Sequence, residues 1–179
     1  MKTLSLLPSL SLFVLLNSAV TVSADNAAPA SAPAAASSAA KPILYQVSKV
    51  KGADVQIQED AQALGGEYVM NHQAYNPVLF LATPPGDSLT IWARVRGSSF
   101  QLKGVVGGNQ QPLDWVWGTA GQFTWKKFGT YARTQLGDQL VIIRGDKADA
   151  TDGIDAVLIS PDPNFSPDSA ANLKQYLAP

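Results

Sequence analysis

Nine consecutive residues, Ser88–Arg96, alternate between two kinds of side chain, and this alternation limits what the chain can fold into. Aliphatic residues stand at every second position: Leu89, Ile91, Ala93 and Val95. Polar or bulkier residues stand between them: Thr90, Trp92, Arg94 and Arg96. Successive side chains of a strand point to opposite faces, so a period of two puts the aliphatic set on one face. The run therefore predicts a β-strand with one face in a core.

Nine other short runs have a strand-like composition and are separated by Gly, Pro, Asn and Asp. They are Ile43–Ser48, Val55–Gln58, Tyr68–Asn71, Val78–Ala82, Phe100–Val106, Leu113–Trp117, Phe123–Phe128, Gln139–Arg144 and Ile154–Ser160. Short strands between turn residues are typical of a sandwich or a barrel. Ten strands in about 125 residues favour an all-β fold, an antiparallel two-sheet jelly-roll β-sandwich.

The C-terminal end departs from this pattern. From Ile43 onward no stretch has a sustained period of 3.6 residues, and Ser169–Leu177 alone could form a helix, with Asp168 as its N-cap. We therefore expect a β-sandwich domain over residues 42–167, followed by a C-terminal tail over residues 168–179 that could form a helix.

Residues 1–24 have the three regions of a secretory signal peptide. Lys2 precedes a broken apolar stretch, and Val22-Ser23-Ala24 supplies the small residues that precede a cleavage site. The alternative is an uncleaved membrane anchor, which needs about 20 apolar residues, and Pro8 interrupts this stretch. No Cys follows, so a lipoprotein is excluded. We expect a secreted protein, extracellular or periplasmic, with no membrane insertion after cleavage.

Residues 25–41 consist of Ala, Ser and Pro with a few polar or charged residues near the ends. Such a segment has no aromatic or branched side chain that could offset the entropy of ordering, and its prolines prevent one continuous helix. It predicts a flexible or semi-extended linker between the signal peptide and the domain. The alternative is an unselected tail.

The charged residues and the missing residue types exclude several classes of function. Lys plus Arg number 13 and Asp plus Glu number 14, a balance that argues against a nucleic-acid binder. The absence of Cys excludes disulfides, thiolate zinc sites and Cys nucleophiles, and a single His makes a histidine-ligated metal centre hard to build. A Gly-x-Ser-x-Gly nucleophile motif is also missing. Binding is therefore a better hypothesis than catalysis, and a small polysaccharide-active enzyme would need two carboxylates about 5–10 Å apart across a cleft.

The aromatic residues are the most informative candidates for a site. All four Trp lie in the predicted domain: Trp92, Trp115, Trp117 and Trp125. Strand alternation places Leu113, Trp115 and Trp117 on one face, and two neighbouring indoles can form a flat apolar platform on which the C–H face of a sugar stacks. The alternative is that these Trp fill the core, because indoles bury large areas. Since Leu113 shares the face, we expect at least one of the two in the core.

Several loops carry amide side chains close to aromatic ones: residues 71–77 and 161–167 contain both, and residues 107–112 lead straight into the Trp-rich strand. Neutral hydrogen-bonding groups beside aromatics suit a neutral polyhydroxylated ligand, although Asn and Gly are also favoured by turns alone. Residues 145–155 are rich in Asp, and oxygen-rich loops can hold Ca²⁺, but the spacing differs from that of an EF-hand. A solvated hairpin loop is the alternative interpretation.

Four segments together resemble a known family in order and spacing over roughly residues 54–167. They are Leu89–Gly97, the Trp-x-Trp strand Leu113–Trp117, the run from Phe128 to Arg144, and Ile154–Ser160 followed by Asp162 and Phe165-Ser-Pro167. These are similar to carbohydrate-binding modules of the family 6 and family 35 type, which are galactose-binding-like β-sandwiches. The resemblance implies a non-catalytic sugar-binding domain with a partner that is a glycan or polysaccharide.

The resemblance also implies particular site residues. A loop-end site would use Tyr75, Asn76, Trp117 and Asn164. A structural Ca²⁺ would be held by Glu59, Asp60 and Asp155. Two positions depart from the family pattern. Its early Glu-x-Glu motif is Gln58-Glu59-Asp60 here, and the His that the family has later in the chain is either replaced by Asp138 or missing.

The sequence leaves two main hypotheses. The first is a secreted module that docks a glycan on an aromatic platform at loop ends. The second is a structural or protein-interaction β-sandwich of a cell-surface or envelope complex, with the same fold and no sugar site. Exposure of Trp117 and Tyr75 together, beside Asn76 or Asn164, would favour the first.

Overall fold

The computed structural model describes residues 40–71, 77–145 and 151–179, all within one compact unit. Its strands are β1 Ile43–Gln46, β2 Gly52–Ala53, β3 Ile57–Glu59, β4 Glu67–Met70, β5 Val78–Ala82, β6 Ser88–Arg96, β7 Ser99–Val106, β8 Asn109–Trp117, β9 Thr124–Ala132, β10 Gln139–Arg144 and β11 Gly153–Ser160. One helical turn, α1, spans Arg133–Leu136, and 3₁₀ turns span Val47–Lys49, Pro167–Ser169 and Leu173–Tyr176. None of the helices in these ranges is long and apolar enough to span a bilayer.

The strands form two antiparallel sheets. The six-stranded sheet has the order β3-β4-β11-β6-β9, with β1 also paired to β11. The five-stranded sheet has the order β2-β5-β10-β7-β8. Neighbouring strands in both sheets are largely non-consecutive in the chain, so the chain crosses repeatedly between the two layers. The predicted all-β, two-sheet jelly-roll sandwich is confirmed.

The core lies between the inner faces of the two sheets. The aliphatic set predicted on β6 is fully buried there: Leu89, Ile91, Ala93 and Val95. The five-stranded sheet faces it with another apolar set: Leu79, Leu81, Phe100, Leu102, Val116, Leu140 and Ile142. Period-two alternation thus produces a dry interface between two layers.

The outer face of β6 is covered as well, which the alternation alone does not reveal. A second apolar cluster forms there around Leu44, Ala156 and Leu158, with Trp92 and Trp125 packed against it. The C-terminal segment supplies its outer layer: Phe165, Leu173 and Tyr176. Because β6 and β11 occupy the middle of the six-stranded sheet, both of their faces are buried.

The C-terminal segment folds differently from the predicted helix. Residues 168–179 contain 3₁₀ turns rather than an α-helix, and the N-cap hydrogen bond comes from Asn172, whose Oδ1 accepts from the Lys174 N–H at 3.1 Å. The segment ends beside β1, where the Ala178 N–H donates to the Leu44 carbonyl at 2.8 Å. Packing of Phe165 against Tyr176 and pairing with β1 favour this path over helix formation.

Two isoleucines give a matched test of the predicted core. Ile91 is fully buried, whereas Ile57 on the edge strand β3 is 50% exposed. Ile91→Ala should lower the free energy of unfolding by about 2–5 kcal/mol, because it leaves a cavity between the sheets. Ile57→Ala should lower it by less than about 1 kcal/mol. Urea unfolding followed by Trp fluorescence measures both, and equal losses would contradict this placement of the core.

Candidate functional site

Two neighbouring tryptophans stand on the outer face of the five-stranded sheet. Trp115 and Trp117 belong to the edge strand β8 and are 38% and 65% exposed. Their ring centroids lie 6.4 Å apart and their planes differ by 28°. We call this pair the indole platform. The expectation that at least one of the two lies in the core is wrong.

A β-bulge explains why strand alternation failed here. In the pairing of β7 with β8, Leu102 lies opposite Asp114 and Lys103 opposite Pro112, which leaves Leu113 as an extra residue. Leu113 packs against the core, and Val116 is buried further along the strand. A bulge shifts the phase of side-chain alternation, so Leu113 and the two indoles no longer share a face.

The strand register places a row of side chains across the sheet beside Trp115. Gln101 lies opposite Trp115, Ile143 opposite Gln101, and Val78 opposite Ile143. Directly paired residues share a face, and neighbouring strands are about 4.8 Å apart, so this row runs about 14 Å across the outer face. It presents an indole, an amide and two aliphatic groups in succession.

Gly145 fixes one edge of the indole platform. A Cβ atom at this position would stand 2.7 Å from the Cζ3 atom of Trp115, so only glycine allows the ring to lie against the backbone. The Gly145 N–H donates to the Ser99 carbonyl at 2.8 Å, which ties the end of β10 to the start of β7. The indole platform therefore adjoins the end of the sandwich at which β10 ends.

Several chain connections are held together at this same end. The Gly97 N–H donates to the Thr119 carbonyl at 3.1 Å, and the Gly118 N–H donates to the Ser98 carbonyl at 3.0 Å. Asn71 is fully buried nearby: its side-chain Nδ2 donates to Ser98 Oγ, and its Oδ1 has no hydrogen-bond partner among the residues that the structure describes. Burial of this amide could not be read from sequence, because Asn before a loop is common in turns.

Two predicted ligand residues, Tyr75 and Asn76, lie outside the described residues. Asn164 is described and exposed, and its N–H donates to Asp162 Oδ1 at 2.9 Å. It follows the end of β11, where Ser160 pairs with Thr90 at the start of β6. Trp117 pairs with Ser99, beyond the other end of β6. The predicted grouping of Asn164 with Trp117 is therefore wrong, because the length of the sandwich separates them.

The three carboxylates predicted to hold calcium do not form one oxygen cage. Glu59 is exposed on β3 and lies opposite Glu67, whose Oε2 is 2.6 Å from Lys49 Nζ. Asp60 pairs with Arg96, at 2.6 Å between Oδ2 and Nη1, and Asp155 pairs with Arg94. The Gln62 N–H and Arg96 lower the pKa of Asp60, whereas burial raises the pKa of Asp155 against the opposing effects of the Leu64 N–H and Arg94.

These contacts leave the predicted set unsuited to Ca²⁺, which takes six to eight oxygen ligands. Among the residues that the structure describes, no group of three His, Cys, Asp or Glu side chains is arranged to hold a metal ion. Arginine and backbone N–H groups occupy the carboxylate oxygens instead. The structure thus assigns Asp60 and Asp155 to ion pairs, and the expected calcium site is not assembled from them.

Comparison with known proteins finds solved structures of similar fold but no relative by sequence. No protein-family model matches the sequence, and no curated protein matches it. Among solved structures, a GH26-CBM35 β-(1,4)-mannanase from Podospora anserina aligns with a TM-score of 0.50 and 13% sequence identity, over 71% of this chain and 29% of that one. The present chain thus corresponds to less than a third of that enzyme.

Two further structures align with slightly lower TM-scores. A family 35 carbohydrate-binding module from Clostridium thermocellum has a TM-score of 0.47 and 16% identity, over 65% of this chain and 97% of the module. A CBM22-1–GH10 fragment of a xylanase from the same organism, complexed with xylohexaose, has a TM-score of 0.49 and 16% identity, over 74% and 30% of the two chains. At these identities the likeness concerns the fold alone, a two-sheet β-sandwich.

Proposed function

We propose that this protein binds a glycan on the indole platform and has no catalytic activity of its own. The observation that carries the proposal is the pair of exposed, nearly parallel indoles Trp115 and Trp117. Exposed contiguous apolar surface on a folded domain marks an interaction site more often than a surface without function. The C–H faces of pyranose rings are flat and apolar, and indoles offer large flat partners to them.

The groups around the indole platform suit a neutral ligand. By register, the outer face of β7 carries Ser99, Gln101 and Lys103. Lys103 is the charged residue among these three, and its Nζ lies 3.4 Å from Gln110 Oε1. The Gln101 amide can both donate to and accept from sugar hydroxyls.

The same face lacks what hydrolysis would need. Glycoside hydrolysis generally uses two carboxylates across the scissile bond, and the register places none among the described residues on the outer face of β5, β10 and β7. This composition supports a binding role over a catalytic one. A secreted location, as residues 1–24 predict, would place the domain where polysaccharides occur.

The fold comparison suggests which ligands to test first. The mannanase with a TM-score of 0.50 carries a CBM35 module and acts on β-(1,4)-mannan. We therefore place β-mannans at the head of a panel of plant and microbial polysaccharides. The competing hypothesis is a protein partner, because exposed Trp residues are also enriched at protein-binding hot spots.

Trp117→Ala tests the indole platform directly. Since its side chain is 65% exposed, the substitution should change the free energy of unfolding by less than about 0.5 kcal/mol. It should weaken glycan binding at least tenfold, which corresponds to about 1.4 kcal/mol of lost stacking. A glycan array identifies the ligand, and isothermal titration calorimetry of both proteins gives the affinities.

Ile57→Ala is the matched control, because Ile57 is a large exposed apolar residue on the other sheet. It should bind glycan with unchanged affinity. If the folded wild-type protein binds no glycan on the array, the proposed function fails and a search for a protein partner follows. If Trp117→Ala binds as tightly as wild type, the glycan site lies elsewhere.

Gly145→Ala tests the support of the indole platform without removing an indole. The added Cβ would stand closest to Ser99 Oγ and 2.7 Å from Trp115 Cζ3, so the Ser99 side chain and the Trp115 ring would both have to move. We expect glycan affinity to fall several-fold and the Trp fluorescence spectrum to shift, because the ring environment changes. Unchanged affinity and spectrum would show that Trp115 does not depend on this contact.

A further inference from the structure

Two arginines of β6 tie separate parts of the chain together on the outer face of the six-stranded sheet. Arg94 Nη1 contacts Asp155 Oδ2 on β11 and donates to the Gln62 carbonyl at 3.0 Å. Arg96 Nη1 lies 2.6 Å from Asp60 Oδ2, and its Nε donates to the Thr151 carbonyl at 2.7 Å. Each arginine therefore joins the connection between β3 and β4 to the chain at or just before β11.

One partner of each ion pair is shielded from water. The Asp155 side chain is fully buried and only 6% of the Arg96 side chain is exposed, whereas their partners Arg94 and Asp60 are 17% and 21% exposed. The Arg96 guanidinium lies 4.2 Å from the centroid of the Phe123 ring and 4.9 Å from that of Tyr68. Two aromatic neighbours and an ion pair stabilise a cation with little access to solvent.

Backbone N–H groups complete the hydrogen bonding of the two carboxylates. The Leu64 N–H lies 3.1 Å from both Asp155 oxygens, and the Gln62 N–H donates to Asp60 Oδ1 at 2.8 Å. Every oxygen of the two carboxylates thus faces a nitrogen donor. Two arginines also balance the negative charges of these two carboxylates.

We infer that Arg94 and Arg96 replace a structural cation in this domain. They cross-link the β3–β4 connection to β11, which is the task that the family resemblance assigns to Ca²⁺ held by Glu59, Asp60 and Asp155. The guanidinium groups occupy the space that such an ion would need and supply its positive charge. By register Glu59 shares a face with Glu67, whose carboxylate contacts Lys49, so it is turned away from the two ion pairs. The folded state of this region is therefore independent of calcium.

A double-mutant cycle in thermal unfolding tests the inference. Four forms of the protein are compared in EGTA: wild type, Arg96→Met, Asp60→Asn and the double variant. Asp60→Asn leaves the shielded Arg96 guanidinium without its partner, and Arg96→Met removes that guanidinium from two aromatic rings and the Thr151 carbonyl. We therefore expect each change to lower the unfolding midpoint by roughly 10 °C. The double variant should lose several degrees less than the sum, because it leaves neither charge unpaired.

The exposed pair Arg133–Asp138 provides the matched control. Its Nη2–Oδ1 distance is 2.9 Å, but the Asp138 side chain is fully exposed. The same cycle with Arg133→Met and Asp138→Asn should show losses of a few degrees at most and little coupling, because exposed ion pairs contribute little. Additive losses in the Arg96–Asp60 cycle would overturn the inference.

Calcium is then added to the wild type, in place of EGTA. We expect the midpoint to move by less than about 1 °C, since a ligand that does not bind cannot shift the unfolding equilibrium. A rise that Asp60→Asn or Asp155→Asn abolishes would show that these carboxylates hold calcium, and the inference would be wrong. If the midpoint rises with calcium in both variants as it does in the wild type, calcium binds at other residues. That outcome supports the inference when the Arg96–Asp60 coupling is present in EGTA.

Discussion

Burial of β6 on both faces is the constraint on which the rest of this structure depends. Its aliphatic side chains fill the space between the two sheets. Of its outward side chains, Trp92 joins the cluster that the C-terminal segment covers, and Arg94 and Arg96 form the ion pairs. A strand buried on both sides cannot change its register without exposing one set of residues to water. The positions of β11, β9 and the connections around them follow from that fixed central strand.

The two sheets consequently have different outer surfaces. The six-stranded sheet is covered by Phe165, Leu173 and Tyr176, and its arginines are engaged with Asp60 and Asp155. The five-stranded sheet leaves its indoles uncovered at the edge strand β8. The bulge at Leu113 makes this possible, because it lets one strand contribute Leu113 and Val116 to the core while it presents two Trp residues outward.

Local pattern predicted the fold and part of the site. Alternation over Ser88–Arg96 identified the central strand and its inner face, and the spacing of turns predicted the sandwich. The exposure of both indoles could not be predicted, because the bulge depends on how β8 pairs with β7, and the pairs on its two sides join residues 12 and 9 positions apart in the chain. The ion pairs of Asp60 and Asp155 involve partners 36 and 61 residues distant, so they follow from the tertiary fold alone.

The pairing of Leu44 with the segment at Ala178 brings the first strand and the last residues of the domain to one place in the six-stranded layer. A linker attached before residue 40 and a fusion attached after residue 179 would therefore leave from neighbouring points. Both points lie beside β5, since the Tyr45 hydroxyl donates to the Ala82 carbonyl at 2.8 Å and Phe80 lines a pocket with Ala178. Two strands separate β5 from β8 in the five-stranded sheet, so a tether at either point would leave the domain on the side away from the indoles.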